Sequence, residues 1–130
     1  MKHAIFLLFA GTGSLFFGIL LFFAPQIGAA SFGMDATIPN ESLLRGMGGL
    51  IIGTGIFNIL FRKVYDPKIL RSVFLVNIFT HLFGLFADYW GLFDGALTFT
   101  GILPVQITHL FIGGGSLIYL LKNEPLSKII

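Results

Sequence analysis

Four long apolar stretches divide the chain, and short segments that hold most of the polar residues separate them. The stretches cover residues 4–24, 43–61, 69–87 and 104–121. A helix rises about 1.5 Å per residue, so about 20 apolar residues cross a hydrocarbon core of about 30 Å. The pattern therefore predicts an all-α, polytopic membrane protein, in which four transmembrane helices form one compact bundle and one domain.

Residues typical of helix ends flank these stretches. Pro25 directly follows the first stretch, and Lys122 and Pro125 close the fourth. Asp66 and Pro67 precede the third stretch in the order of an N-cap followed by a proline at the first helical position. The first stretch could alternatively be a signal peptide, but its apolar run is longer than that of usual signal peptides, which favours a retained helix.

Composition supports the membrane interpretation. The chain has 130 residues, of which 55% are hydrophobic and 11% are charged, and its mean hydropathy is +0.92. A soluble domain of this size needs more charged surface to stay in solution. The chain has no cysteine, which excludes disulfides, thiolate metal sites and cysteine nucleophiles. The net charge is +2, but the chain lacks a basic stripe with interleaved aromatic residues, which is the pattern that would indicate nucleic-acid binding.

Basic and acidic residues occupy alternating ends of the predicted helices. Arg45 lies near the outer links, and the other seven basic residues lie at both termini and in the second link: Lys2, Arg62, Lys63, Lys68, Arg71, Lys122 and Lys128. The first and third links hold the acids Asp35, Glu41, Asp88 and Asp94. Because basic residues favour the cytoplasmic side, both termini and the second link are predicted to face the cytoplasm, in the cytoplasmic (inner) membrane.

Glycine is frequent within the helices, where small residues allow close helix contact in lipid. Gly49 and Gly53 form a small-xxx-small pair, and Gly48 and Gly55 lie seven apart on one face. Gly113 offers a similar surface on the fourth helix. These faces are predicted to pack inside the bundle, although one of them could instead receive a protein partner or a second copy of the chain.

A small set of polar residues lies at membrane depth, where such groups are costly and mark either function or a fixed internal pair. The candidate ligand-binding residues are Arg45, Asn77, His81, Asp88, Gln106 and His109. Helical spacing places Asn77, His81 and Asp88 on one stripe, with Gly84 opening space beside it. We predict a polar pocket in the outer half of the bundle, roofed by an aromatic outer link and with His81 about 10 Å deep.

Each candidate has a structural and a functional interpretation. Arg45 could anchor an anion, or it could reach the headgroups or pair with Asp88 or Glu41. His81 could carry a proton or contact a ligand, or simply bond to Asn77. His81, Asp88 and His109 could in principle bind a metal, but no short ligand spacing supports this, and we predict neither a metal nor a cofactor.

The segment from Glu41 to Gly55, Glu-Ser-Leu-Leu-Arg-Gly-Met-Gly-Gly-Leu-Ile-Ile-Gly-Thr-Gly, opens the second predicted helix. Together with the four-helix layout, it resembles the small DoxX-like membrane proteins, and it is most similar to members known only as a domain of unknown function. The resemblance implies a four-helix membrane fold and a role in a redox-linked complex, in accessory functions or in assembly. The absence of cysteine argues against thiol redox chemistry here.

Three functional hypotheses follow. The first is a non-enzymatic module that binds a membrane lipid or small anionic ligand, or that packs as an accessory subunit. The second is a proton-coupled transporter or channel that uses His81 and Asp88. The third is a small membrane enzyme that acts on a lipid or quinone, with His81 and His109 as acid–base groups facing one cavity.

Overall fold

The computed structural model describes residues 2–31, 33–34 and 38–123, and every regular element in this part of the chain is helical. The elements are α1 (Lys2–Phe23), α2 (Pro25–Ser31), α3 (Ile38–Phe61), α4 (Pro67–Phe93), α5 (Phe99–His109), a π-helical turn (Leu110–Gly114) and α6 (Gly115–Asn123). Three residues that were predicted to lie at helix ends or in links fall outside the described residues: Asp35, Pro125 and Lys128.

Four helical spans are long and apolar enough to cross a membrane: Lys2–Phe23, Asn40–Phe61, Pro67–Phe93 and Phe99–Lys122. The last of these consists of α5, the π-helical turn and α6 in one continuous run. The predicted fold class is therefore confirmed. The chain is an all-helical protein of the multi-pass membrane type.

The helices next to the third link are longer than the apolar pattern predicted. α4 continues through Trp90 to Phe93, because the segment after residue 87 contains no helix breaker until Asp94 and Gly95. Gly95 has a φ of 73°, in the left-handed region where glycine is favoured, and it ends the helix. α5 begins at Phe99, where the Thr98 hydroxyl accepts a hydrogen bond from the backbone N–H of Gly101.

The two other helix ends predicted from sequence are confirmed. α1 ends at Phe23, and Pro25 then begins the short helix α2. At the start of α4, the Asp66 carboxylate accepts hydrogen bonds from the backbone N–H groups of Lys68, at 2.8 Å, and Ile69, at 3.2 Å. Pro67 occupies the first turn, where its missing N–H costs no hydrogen bond.

The most extensive helix contact is between α1 and α3, and glycines on both helices form it. A Cβ added to Gly18 would lie 2.7 Å from the backbone N of Ile52, and one added to Gly48 would lie 2.6 Å from that of Phe22. A similar contact between Gly11 and Gly55 lies at the predicted spacing of seven residues along each helix. Backbones this close allow no side chain larger than hydrogen.

The small-xxx-small pair Gly49 and Gly53 lies away from this contact. Among the described residues, no heavy atom would lie within 4 Å of a Cβ at Gly53, and one at Gly49 would meet only the Phe22 ring at 3.8 Å. Gly48 and Gly55 face α1. Gly49 follows Gly48 by one residue and Gly53 precedes Gly55 by two, so the rotation of the helix turns both of them away from α1.

Candidate functional site

The structure brings His81 of α4 and His109 of α5 into direct contact. The Nδ1 atoms of the two rings are 2.8 Å apart, which is a hydrogen-bond distance. Each histidine lies against a glycine of the other helix: a Cβ at Gly84 would collide with the His109 ring, and one at Gly113 would lie 3.1 Å from the Cβ of His81. The two glycines thus make the space in which the rings meet, as the sequence suggested for Gly84.

Asp88 and Gln106 extend this pair toward the carboxyl end of α4. One carboxylate oxygen of Asp88, Oδ2, lies 3.4 Å from Nε2 of His109, and the same oxygen accepts a hydrogen bond from Nε2 of Gln106 at 2.8 Å. The side chains of His109 and Asp88 are 16% and 22% exposed. The four side chains therefore form a connected polar chain from a partly exposed carboxylate to the buried His81.

The order of these contacts favours one tautomer for each ring in its neutral form. The Asp88 carboxylate favours a proton on Nε2 of His109, which leaves Nδ1 of His109 as a hydrogen-bond acceptor. His81 then donates its Nδ1–H to that atom, and its own Nε2 carries a lone pair. His81 is only 6% exposed, and its Nε2 is buried without a hydrogen-bond partner among the described residues. A buried acceptor without a partner costs about 1–3 kcal/mol, so this atom can accept a hydrogen bond from a ligand.

A small cavity of about 100 Å³ adjoins the histidine pair. Side chains from α1, α3, α4 and α5 line it, and most of them are apolar or hydroxyl-bearing: Ser14, Phe17, Leu21, Ile51, Thr54, Thr80, His81, Val105, Thr108 and His109. Both histidines thus border one cavity, whose wall is formed almost wholly by carbon atoms.

The π-helical turn from Leu110 to Gly114 directly follows His109. Such turns are rare, and they frequently occur at functional sites, where they rotate the neighbouring side chains relative to a regular helix. The three consecutive glycines at 113–115 were interpreted from sequence only as a packing surface. Gly114 ends the π-helical turn and Gly115 begins α6, so these glycines lie where the helix changes from π-helical to α-helical winding.

Both histidines lie farther from the ends of their helices than the predicted bounds of 69–87 and 104–121 implied. His81 is 12 residues from the end of α4 at Phe93, which corresponds to about 18 Å along the helix axis. His109 is ten residues from the start of α5 at Phe99, or about 15 Å. The difference arises from the longer helices, and it places the pair near the middle of both spans.

Arg45 has no contact with this cluster. Its Nη1 donates a hydrogen bond to the backbone carbonyl of Phe22 at 2.6 Å, and its Nη2 lies 3.8 Å from a carboxylate oxygen of Glu41. The side chain is 45% exposed. Because α3 packs on α1, Arg45 lies beside the last turn of α1, where carbonyl groups lack helical partners and attract a cation. Arg45 therefore matches the structural interpretation given above, in which Glu41 is its ion-pair partner.

Asn77 also lies outside the cavity. Its amide forms two hydrogen bonds with the amide of Asn58 on α3, at 2.7 and 3.1 Å, and both residues are fully buried. Asn77 therefore bonds between helices instead of to His81. The aromatic residues at the end of α4 do not roof the cavity either: Trp90 is 72% exposed and Phe93 89%.

The cavity-lining hydroxyl residues were not singled out from sequence as site residues. Thr80 directly precedes His81 and Thr108 directly precedes His109. This adjacency in the sequence was the signal that could have identified them as residues near the histidines. In the part of the chain that the structure describes, no group of three or more His, Asp or Glu side chains has the arrangement of a metal site.

Gly84→Ala is expected to break the contact between the histidine rings. The added methyl group would overlap the His109 ring, which must swing away from His81. We expect loss of the Nδ1–Nδ1 hydrogen bond, seen by nitrogen NMR of isotope-labelled histidines in micelles, and a loss of about 1 kcal/mol in the free energy of unfolding. Gly114→Ala is the control, because a Cβ there would meet open space among the described residues. Unchanged histidine resonances in Gly84→Ala would contradict the described packing.

No protein-family model, no curated protein and no solved structure matches this chain.

Proposed function

We propose that this protein is a non-enzymatic membrane module that binds a small lipid-soluble molecule carrying a hydroxyl group. The ligand's apolar part would occupy the cavity beside the histidine pair, and its hydroxyl would donate a hydrogen bond to Nε2 of His81. The observation that carries the proposal is that this buried acceptor has no partner among the described residues. An engineered apolar cavity of about 150 Å³ binds benzene, so this smaller cavity of about 100 Å³ holds one edge of a ring or the end of a branched chain.

The polar chain behind His81 supports this role. Asp88 and His109 hold the His81 ring with its lone pair on Nε2, so the acceptor is oriented before the ligand arrives. Most of the other cavity-lining groups are apolar or are hydroxyls with a local partner; the Thr108 hydroxyl, for example, donates to the carbonyl of Pro104 at 3.0 Å. The proposed recognition uses the polar contact to Nε2 of His81 together with the apolar fit of the cavity. The anion anchor on Arg45 is not part of this proposal, since Arg45 contacts Phe22 and Glu41 instead.

The test uses a matched pair of probes, para-fluorophenol and para-fluoroanisole, which differ in the hydroxyl donor. We expect fluorine NMR in detergent micelles to show saturable binding of the phenol and at least about tenfold weaker binding of the anisole. His81→Phe keeps a ring of similar size but removes Nε2, and it should weaken phenol binding about tenfold.

Thr108→Val is the control variant, because it changes another residue that lines the same cavity while leaving both histidines in place. It should leave phenol binding unchanged. Equal binding of phenol and anisole, or full phenol binding by His81→Phe, would remove the proposed hydrogen bond to His81.

An acid–base enzyme is the second candidate, because the two histidines face one cavity as that hypothesis requires. Nε2 of His81 would accept a proton from a lipid or quinol hydroxyl, and the His109–Asp88 contact would stabilise the resulting imidazolium. A reaction that depends on pH and is abolished in His81→Phe, with the lipid or quinol as substrate, would favour this function over binding alone.

The orientation and the membrane complete the proposal. The first and last spans and the link between α3 and α4 bring Lys2, Arg62, Lys63, Lys68, Arg71 and Lys122 to one end of the bundle, here called the basic end. By the preference of basic residues for the cytoplasm, we propose that this end faces the cytoplasm from the cytoplasmic membrane. Membership in the DoxX-like family stays a prediction from the Arg45-Gly46-Met47-Gly48-Gly49 segment, as does an accessory role in a larger complex.

A further inference from the structure

A second, larger cavity lies at the basic end, far from the histidine pair. Its volume is about 280 Å³, and His3, Tyr65, Pro67, Leu70, Arg71, Phe74 and Leu120 line it. The cavity thus lies between the first turns of α1 and α4 and the last turns of α6. This position is at the end of three membrane spans, where lipid headgroups lie.

The lining has two chemically distinct parts. Leu70 and Phe74 form a buried apolar floor that belongs to the core between α1 and α4. Arg71, His3 and the exposed Tyr65 lie around it. An occupant that fits both parts has an apolar portion joined to a group that a guanidinium binds, and a planar guanidinium suits a phosphate because two of its N–H groups can contact two oxygens.

The surrounding charge also favours an anion. The basic end carries Lys2, Lys63, Lys68 and Lys122 in addition to Arg71. At this end the Asp66 carboxylate accepts the two backbone hydrogen bonds at the start of α4. Basic pockets between membrane helices on the cytoplasmic side bind anionic lipid headgroups in other membrane proteins.

Contacts within the chain shape the cavity before any ligand binds. Nε2 of His3 lies 3.2 Å from the carbonyl of Val64, and the His3 and Tyr65 rings meet edge to face with centroids 5.3 Å apart. These contacts connect the start of α1 to the link before α4. The two aromatic rings have polar tips and apolar bodies, which is the character favoured at the membrane interface.

We propose that this cavity is a binding site for the headgroup of an anionic phospholipid, with the phosphate on Arg71 and the glycerol and upper acyl chain against Leu70 and Phe74. Inorganic phosphate satisfies only the first of these contacts. The site is separate from the proposed function of the histidine pair, and neither depends on the other.

The test measures lipid retention by native mass spectrometry after the protein is mixed with equal amounts of phosphatidylglycerol and phosphatidylcholine. Both lipids carry the phosphate, but the choline cation of phosphatidylcholine would lie beside the guanidinium of Arg71. We therefore expect the wild-type chain to retain phosphatidylglycerol about tenfold more than phosphatidylcholine, and Arg71→Gln to lose this preference. Lys63→Gln removes the same charge from the same end without changing the cavity lining, so it should keep most of the preference.

Three results would overturn the proposal. Equal retention of both lipids by the wild-type chain would show an apolar groove without headgroup selection. Equal losses in Arg71→Gln and Lys63→Gln would assign the preference to the overall charge of the basic end. Binding of inorganic phosphate by a chain that retains neither lipid would identify a site for free phosphate instead of a lipid.

Discussion

Gly18→Leu is expected to lower the free energy of unfolding of the bundle by about 3 kcal/mol or more, the upper end of the range for overpacked sites. A Cβ at this position would lie 2.7 Å from the backbone N of Ile52 and 2.9 Å from the carbonyl oxygen of Gly48. Both atoms belong to the helical backbone of α3, which cannot move aside as a flexible side chain can. The two helices must therefore separate, and the contact from Gly11–Gly55 to Gly18–Gly48 would be lost along its length.

The control lies on the same helix. A Cβ at Gly13 would meet open space among the described residues, so Gly13→Leu adds the same side chain without a clash. Unfolding of both variants in mixed micelles, followed by circular dichroism as the denaturing detergent increases, measures the difference. Equal stability of the two variants would show that α1 and α3 do not pack through these glycines.

The sequence predicted the four spans because membrane helices leave a strong signal: about 20 apolar residues without interruption. Local chemistry also predicted individual ends, such as the Asp66 cap, whose hydrogen bonds depend on residues two and three positions away. The far end of α4 was predicted too short for the opposite reason. Asp88 and the aromatic residues after it look like a link, but none of them stops a helix before Gly95 does.

The site was predictable only as a set of candidates. Helical spacing identified His81, Asp88 and Gly84 on one stripe, and the structure does place the His109 ring against Gly84. The pairing of side chains depends on how each helix is rotated about its axis, which sequence spacing does not determine. Arg45 was grouped with the histidines by depth and by the expectation that its helix face points into the same pocket. α3 instead faces α1 and directs Arg45 to the carbonyl of Phe22.

The two amides at the centre of the bundle show the same limit. Asn77 lies on the stripe of His81, and one interpretation from sequence was a bond between Asn77 and His81. In the structure the hydrogen-bonding groups of Asn77 are directed to Asn58, and His81 bonds to His109 instead. α3 and α4 have few other contacts, so this amide pair is a main fixed point between the two helices.

Asn77→Leu is therefore expected to lower the free energy of unfolding by about 2 kcal/mol, because it leaves a buried amide of Asn58 without its partner. Nδ2 of Asn58 keeps its hydrogen bond to the carbonyl of Thr54 at 3.1 Å, but its Oδ1 loses the donor that lies 2.7 Å away. Polar bonds between membrane helices contribute up to about 1.7 kcal/mol in measured pairs, and the penalty for an unpaired group adds to that contribution.

The double variant Asn58→Leu with Asn77→Leu separates the two effects. It removes both amides, so no buried polar group is left without a partner, and two leucines with the same branching as asparagine take their places. We expect it to be more stable than the sum of the single variants implies, by about 1 kcal/mol in a double-mutant cycle measured with the same detergent titration. Strict additivity would show that the amides act independently. In that case the hydrogen bonds between Asn58 and Asn77 would not be what fixes α3 against α4.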